Sequence, residues 1–180
     1  MTPVTTKGFI IAKHLQAAKD KLSDEEFEKL ENDLGVSLKQ IKIKFFAEYP
    51  AELQLAVEER LSPILWGKSY AEAAYEAGRL NFETFSQSAI GKTALLLVGN
   101  DPQKMVAATT RLVSMIVSGM DVDTRELSEN EFSIRFRNNP FETDGWRGLI
   151  EAALERTGVD PDVTTEVHGP QEVEFHVRWT

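Results

Sequence analysis

The sequence predicts an α+β fold: a helical N-terminal half with a central buried helix, packed on a four-stranded antiparallel ββαββ sheet. Three observations predict it. Apolar residues recur at helical spacing from the N-terminus to about residue 118. After Gly119 the apolar period falls to two, in four segments that flank one further helix. Between these regions, Ile90 to Gly119 is the most apolar stretch, and from Met105 to Val117 its only charge is Arg111. A helix that is apolar on all sides is a buried one, so residues 102–118 are expected to form the central helix beneath the sheet.

The elements follow in order. Ile10, Ile11, Leu15, Ala18 and Leu22 mark a helix over 9–22, with Lys13, Lys19 and Lys21 solvating its other side. His14 is expected on the solvated side. Ser23 and Glu26 make a capping box for a second helix, which carries Phe27, Leu30 and Leu34 inward and ends at Gly35. Residues 36–49 read either as a short strand or as a connection with a short helix. Pro50 opens a helix through Leu53, Val57 and Leu61, which Pro63 is expected to kink or restart and Gly67 to stop. Ser69 and Glu72 form a second capping box, and the helix behind it holds Gly78, which points to a close helix contact.

A helix over about 90–98 stops at Gly99-Asn100, and Asp101-Pro102 gives the N-cap and first position of the next. Residues 121–127 and 131–137 form a hairpin turning at 128–130, with Phe132, Ile134 and Phe136 on one face. A helix follows over 143–156, then Val163, Thr165 and Val167, a turn at 168–171, and Val173, Phe175, Val177 and Trp179. Strands with one polar and one apolar face belong to an antiparallel sheet that needs a cover on one side, and the 102–118 helix is the expected cover. No linker or repeat interrupts the chain. One domain, 1–180, is expected, helical over 1–119 and ββαββ over 120–180.

Composition narrows the function classes. The net charge of -9 argues against nucleic acid and anionic membrane surfaces, which select basic patches. The absence of cysteine removes disulfides, thiolate metal sites and cysteine nucleophiles, and fits a reducing cytoplasm. The N-terminus lacks a signal-peptide pattern and no apolar run is long enough for a membrane span, so a cytoplasmic protein is expected.

Catalytic motifs are weak. Gly91-Lys92-Thr93 ends like a phosphate-binding loop, but Ser86 stands where that loop needs its first glycine. His14, His168 and His176 are the only histidines, and nothing in their spacing makes them a metal site. No serine sits in a nucleophile elbow. Asp24-Glu25-Glu26 reads as helix-start charge and Glu58-Glu59 as a solvated helix face. Asp121 and Asp123 lack the glycine and distal glutamate of a calcium loop. Neither a metal nor a cofactor is expected.

The most suggestive group is Trp66, Tyr70, Tyr75, Arg79, Phe82 and Phe85. With Met105, Thr109 and Met115 it is the candidate lining of an apolar ligand pocket, with Arg79 anchoring an acidic group. The competing reading makes them core aromatics, with Arg79 snorkelling or paired with Glu76 or Glu83.

Helices first, then ββαββ within 180 residues, resembles the superfamily of haem nitric-oxide-binding domains, vinyl-reductase-type small-molecule-binding domains and TRAPP-type trafficking subunits. At residue level the chain resembles a family of uncharacterised myxobacterial-type proteins. The matching features are Tyr75, Gly78-Arg79, Ser88, Ile90-Gly91 and Asp101-Pro102. This family implies a fold and no activity. The haem branch implies a proximal histidine on a central helix and a Tyr-x-Ser-x-Arg motif for the haem propionates. Residues 15–167 contain no histidine, and no such Tyr-Ser-Arg spacing occurs. The expectation is therefore a non-enzymatic sensory or regulatory module without haem, binding a small apolar ligand or a partner protein, and homodimeric. The alternative is a homodimeric structural adaptor in signalling or trafficking with no small-molecule ligand.

Overall fold

The computed structural model describes residues 2–180. Contacts divide the chain into two compact units: residues 5–73, and residues 74–180 with 2–4. In the second unit, helices after residue 73 pack with the strands that follow them.

In the first unit, β1 (Thr5–Lys7) leads into α1 (Gly8–Lys19), α2 (Asp24–Leu34) and α3 (Leu38–Ile43). Then come β2 (Glu48–Pro50) and α4 (Ala51–Trp66). β1 and β2 pair antiparallel, and Glu48 accepts from Thr5 and Lys7. Of the two readings of segment 36–49, the short helix is the one formed over Leu38–Ile43; β2 comes after it, at Glu48–Pro50. α2 has its capping box and ends at Gly35 with φ 63°, a left-handed conformation that glycine adopts without a side-chain clash. α4 runs unbroken through Pro63 to Trp66. Ile11, Leu15, Ala18, Phe27, Leu30, Ile41, Val57 and Leu61 form the core.

Two polar residues in this core correct the sequence reading. His14 and Glu58, both expected in solvent, are 0% and 2% exposed. His14 follows Ile10 and precedes Ala18 at four-residue spacing, which puts it on the buried stripe of α1. Its Nε2 lies 3.4 Å from Glu58 Oε1, which also accepts from Gln54 Nε2 at 2.8 Å. A buried carboxylate is tolerated when partners of this kind surround it.

α5 (Tyr70–Gln87) begins in the first unit and carries the chain into the second. There follow α6 (Ala89–Val98), α7 (Pro102–Ala107), α8 (Thr109–Ser114), β3 (Val117–Ser118), β4 (Asp121–Ser128) and β5 (Glu131–Arg137). The last elements are α9 (Thr143–Glu155), β6 (Pro161–Gly169) and β7 (Glu172–Trp179). The long central helix expected over 102–118 is two short helices meeting at Ala108. Met105, Val106 and Val113 are buried, whereas Ala107, Thr110, Arg111 and Ser114 are exposed, so the segment is not buried on all sides. Thr109 and Thr110 stand at the break, where β-branching and hydroxyls weaken helix propagation.

The four long strands form one antiparallel sheet in the order β4-β5-β7-β6. Phe132, Ile134, Phe136, Val173, Phe175 and Val177 share its apolar face and are all buried. The cover of that face is shared, which refines the expectation for 102–118. α8 meets β4, where Thr110 Oγ1 bonds to the Val122 carbonyl and lies 3.1 Å from Thr124 Oγ1. α9 supplies Trp146, stacked on Phe136 at 4.6 Å between ring centroids and tied by its indole N–H to Asn139 Oδ1 at 2.8 Å.

α5 crosses α9 at the distance set by missing side chains. A Cβ at Gly78 would overlap the Gly145 carbonyl, and one at Gly148 would overlap the Tyr75 carbonyl. Gly78→Ala is therefore expected to lower unfolding stability by about 3 kcal/mol in urea titration, because the obstructing atoms are backbone. Glu58→Ala is expected to cost about 2 kcal/mol in the same assay, by removing the buried acceptor that Gln54 bonds to.

Candidate functional site

Of the residues expected to line a pocket, Trp66 lies in the first unit, half-buried, its ring 6.4 Å from that of His14. Tyr70 is half-buried at the start of α5. In the second unit Phe82, Phe85 and Met105 are buried, and Thr109 and Met115 are half-buried. Thr109 Oγ1 turns back to the Met105 carbonyl at 3.4 Å.

Tyr75 and Arg79, one helical turn apart on α5, meet the corresponding turn of α9. Tyr75 donates its hydroxyl to Glu151 at 2.5 Å. Arg79 clasps Glu155 through both terminal nitrogens, at 3.0 and 2.5 Å, and donates to the Tyr75 hydroxyl at 3.3 Å. Arg147 lies 5.2 Å from the centroid of the Tyr75 ring. Burial, and then the Glu151 carboxylate, push the Tyr75 hydroxyl above its ordinary pKa, and the Arg79 hydrogen bonds hold Glu155 below its own. The partner of Arg79 is thus neither Glu76 nor Glu83, the two within reach along its own helix, but a carboxylate 76 positions away.

A cleft of about 450 Å³ opens elsewhere in this unit, lined by Asp123, Thr124, Arg125, Ser133, Arg135, Arg137 and Glu174. Alternation puts Ser133, Arg135 and Arg137 opposite the apolar face of β5, and register sets them beside Arg125, Asp123 and Asp121 of β4. Across β7 they face His176, Glu174 and Glu172. Arg137 pairs with Asp123 at 2.8 Å and with Glu172 at 3.2 Å; Arg135 pairs with Glu172 at 2.9 Å. Glu174 accepts from the Ser133 hydroxyl and lies 3.1 Å from His168 Nε2. The Ser133 hydrogen bond, reinforced by His168, keeps its carboxyl below the usual range. Arg125 is exposed and has no carboxylate partner among the described residues. In the sequence alone this face reads as plain solvated strand. The signal available is three arginines at alternate positions of two neighbouring strands, but their convergence depends on register.

Other candidates resolve into structure. Gly91 sits inside α6, where a side chain would strike the Phe85 carbonyl, so close approach explains it without a phosphate. Among the described residues no group of three or more His, Cys, Asp or Glu side chains is arranged to hold a metal ion, and no helix is long and apolar enough to cross a membrane.

The Arg79–Glu155 clasp has a pH signature. Because the carboxyl pKa is depressed in the folded state, its stabilisation is complete above the ordinary carboxylate range and is lost as pH falls through the folded value. Both groups are partly exposed, at 38% and 44%, so solvent holds the effect near 1 kcal/mol. Arg79→Ala is expected to lower stability by about that amount at pH 7, with the difference shrinking below about pH 4. Denaturant titrations of both proteins at the two pH values check it.

No curated protein matches this chain. Solved H-NOX structures do. An H-NOX protein from K. algicida, in its unliganded Fe(II) form, is 17% identical over 97% of this chain and 96% of its own, with a TM-score of 0.72. A mutant of Cs H-NOX is 14% identical over the same shares, with a TM-score of 0.74. A mutant of T. Tengcongensis H-NOX is 15% identical over 97% of both chains, with a TM-score of 0.73. At these identities the likeness is one of fold, and it spans helices and sheet together. A family model described as "Protein of unknown function (DUF2378)" matches residues 14–180, and the chain belongs to that family.

Proposed function

We propose that this chain is a non-enzymatic sensory or regulatory binding module that works without haem. One observation carries the reading. The segment 102–114 presents Met105, Val106 and Val113 to the interior and contains no histidine or cysteine, in a chain whose fold matches H-NOX structures over 97% of its length. His14 is engaged with Glu58 inside the first unit, and His168 and His176 stand beside Glu166 and Glu174 on the polar sheet face. The residues present therefore do not fit a histidine-ligated haem. Ser133 and Arg135 keep the spacing of the last two members of the propionate motif, but Glu131 stands in place of its tyrosine, and an acid there repels a carboxylate.

The cleft supports a small polar ligand with net negative charge. Its lining holds three arginines and two hydroxyls; Arg135 and Arg137 are paired with Glu172 and Asp123, which leaves Arg125 to meet an anion. The apolar ligand expected from the aromatic residues has less support. Tyr75 and Arg79 are engaged with Glu151 and Glu155, and Phe82, Phe85 and Met105 are closed in the core. A homodimeric state belongs to the proposal as well.

Titration of the purified protein with haemin, followed by absorption, is expected to give no saturable Soret shift; a one-to-one shift would overturn the haem-free reading. Native mass spectrometry is expected to detect a small anion that leaves on Arg125→Ala and Arg135→Ala substitution. Retention of the same ligand by the doubly substituted protein would remove it from this cleft.

A further inference from the structure

α6 has two faces of different kinds. Gly91, Ala94, Leu95 and Val98 are buried. Lys92, Thr93, Leu96, Leu97 and Asn100 are exposed, a spacing that runs along one side of a helix. Leu96 and Leu97 are 82% and 74% exposed, side by side on that face. A single exposed leucine needs no explanation, but two adjacent ones on a helix whose inner face is already filled form an apolar spot with no cover in the monomer.

The charge around the spot says what can cover it. The chain carries 29 acidic residues, yet none from Thr84 to Asn100. Two copies at net charge -9 repel over much of their surfaces, and this acid-free helix offers that approach little opposition. The spot is also self-complementary. In an antiparallel crossing of two α6 helices centred between Leu96 and Leu97, Lys92 of each copy lies opposite Asn100-Asp101 of the other. A lysine there faces a helix C-terminus and a carboxylate, both favourable for a cation. Asp101 already holds Lys104, at 3.1 Å, and Arg156 reaches the Gly99 carbonyl. The charge pair at the rim therefore adds orientation more than strength.

We infer that the Leu96–Leu97 face of α6 is the seat of a second copy of this chain, in an antiparallel, two-fold pairing whose centre is four leucines. The inference rests on the homodimer reading and is independent of the ligand. Each copy uses the same patch, so the contact closes at two and does not propagate. A centre this small makes a reversible dimer.

Sedimentation velocity of the full chain across about 2–200 µM is expected to show a monomer–dimer equilibrium, given the modest area of such a contact. Leu96→Glu/Leu97→Glu is expected to raise the dissociation constant at least 30-fold, on the scale of a buried interface centre. Lys92→Glu is expected to raise it about 5-fold, and Lys92→Glu/Asp101→Asn to recover some of that loss, since asparagine keeps the N-cap without the repelling charge. Lys92, Leu96 and Leu97 are exposed, so circular dichroism melting of the variants at these three positions is expected to match the original chain. The absence of cysteine gives an independent readout. Leu97→Cys is expected to form a disulfide-linked dimer on oxidation, while Glu25→Cys on α2 stays monomeric. A chain that remains monomeric throughout overturns both the inference and the homodimer reading, and hands the leucines to a different partner. A dimer unaffected by the leucine substitutions overturns this face alone and leaves the homodimer reading standing.

Discussion

The contact that the second unit depends on is the crossing of α5 over α9, where backbone touches backbone. Gly78 admits the Gly145 carbonyl, and Gly148 admits that of Tyr75. The depth of this crossing has two effects. It brings Tyr75 and Arg79 within reach of Glu151 and Glu155, whose bonds then fix the rotation of α9 about its axis. It also holds α9 where Trp146 lies flat on Phe136, and so sets one half of the cover of the sheet. A larger residue at the crossing would lift α9 and lose the stacking and the ion pair together, since packed interiors transmit small displacements.

The opposite face of the sheet is organised by charge. Acids on β4, arginines on β5 and acids on β7 face one another across the sheet, so most of these charges meet an opposite neighbour. Such pairs add little stability singly. Their stronger effect is on register: a one-residue slip of β5 would carry Arg135 and Arg137 to the apolar side. Arg125, at the edge of this lattice, is left without a carboxylate partner among the described residues, and that single guanidinium is what makes an ordinary solvated face a candidate anion site.

Features written in short stretches of chain were legible in the sequence. Ser23 with Glu26, Ser69 with Glu72, and Asp101 before Pro102 each start a helix as expected, because the capping partners lie within three residues of one another. The alternation of 131–137 gave the strand and its buried face. Features that depend on distant partners were not legible. His14 looked solvated because lysines surround it in sequence, although its helix position faces the core and its partner is on α4. Arg79 had two acids nearby on its own helix and chose a third on α9. The 102–118 stretch looked uniformly buried because composition records apolarity without recording the break at Ala108. The cleft depends on the register of three strands, which composition does not encode.

The strand order β4-β5-β7-β6 has a kinetic consequence. β4 with β5, and β6 with β7, are hairpins whose partners are close in sequence and can form early. β5 and β7, the two central strands, are separated by the whole of α9 and by the β6 strand, so the chain must close a loop of more than thirty residues to join the hairpins. That closure is entropically opposed until α9 is helical and its apolar face gives the hairpins something to share. The helix that covers the sheet is thus also the element whose arrival unites it, and the tempo of assembly is set in the connection rather than in the strands.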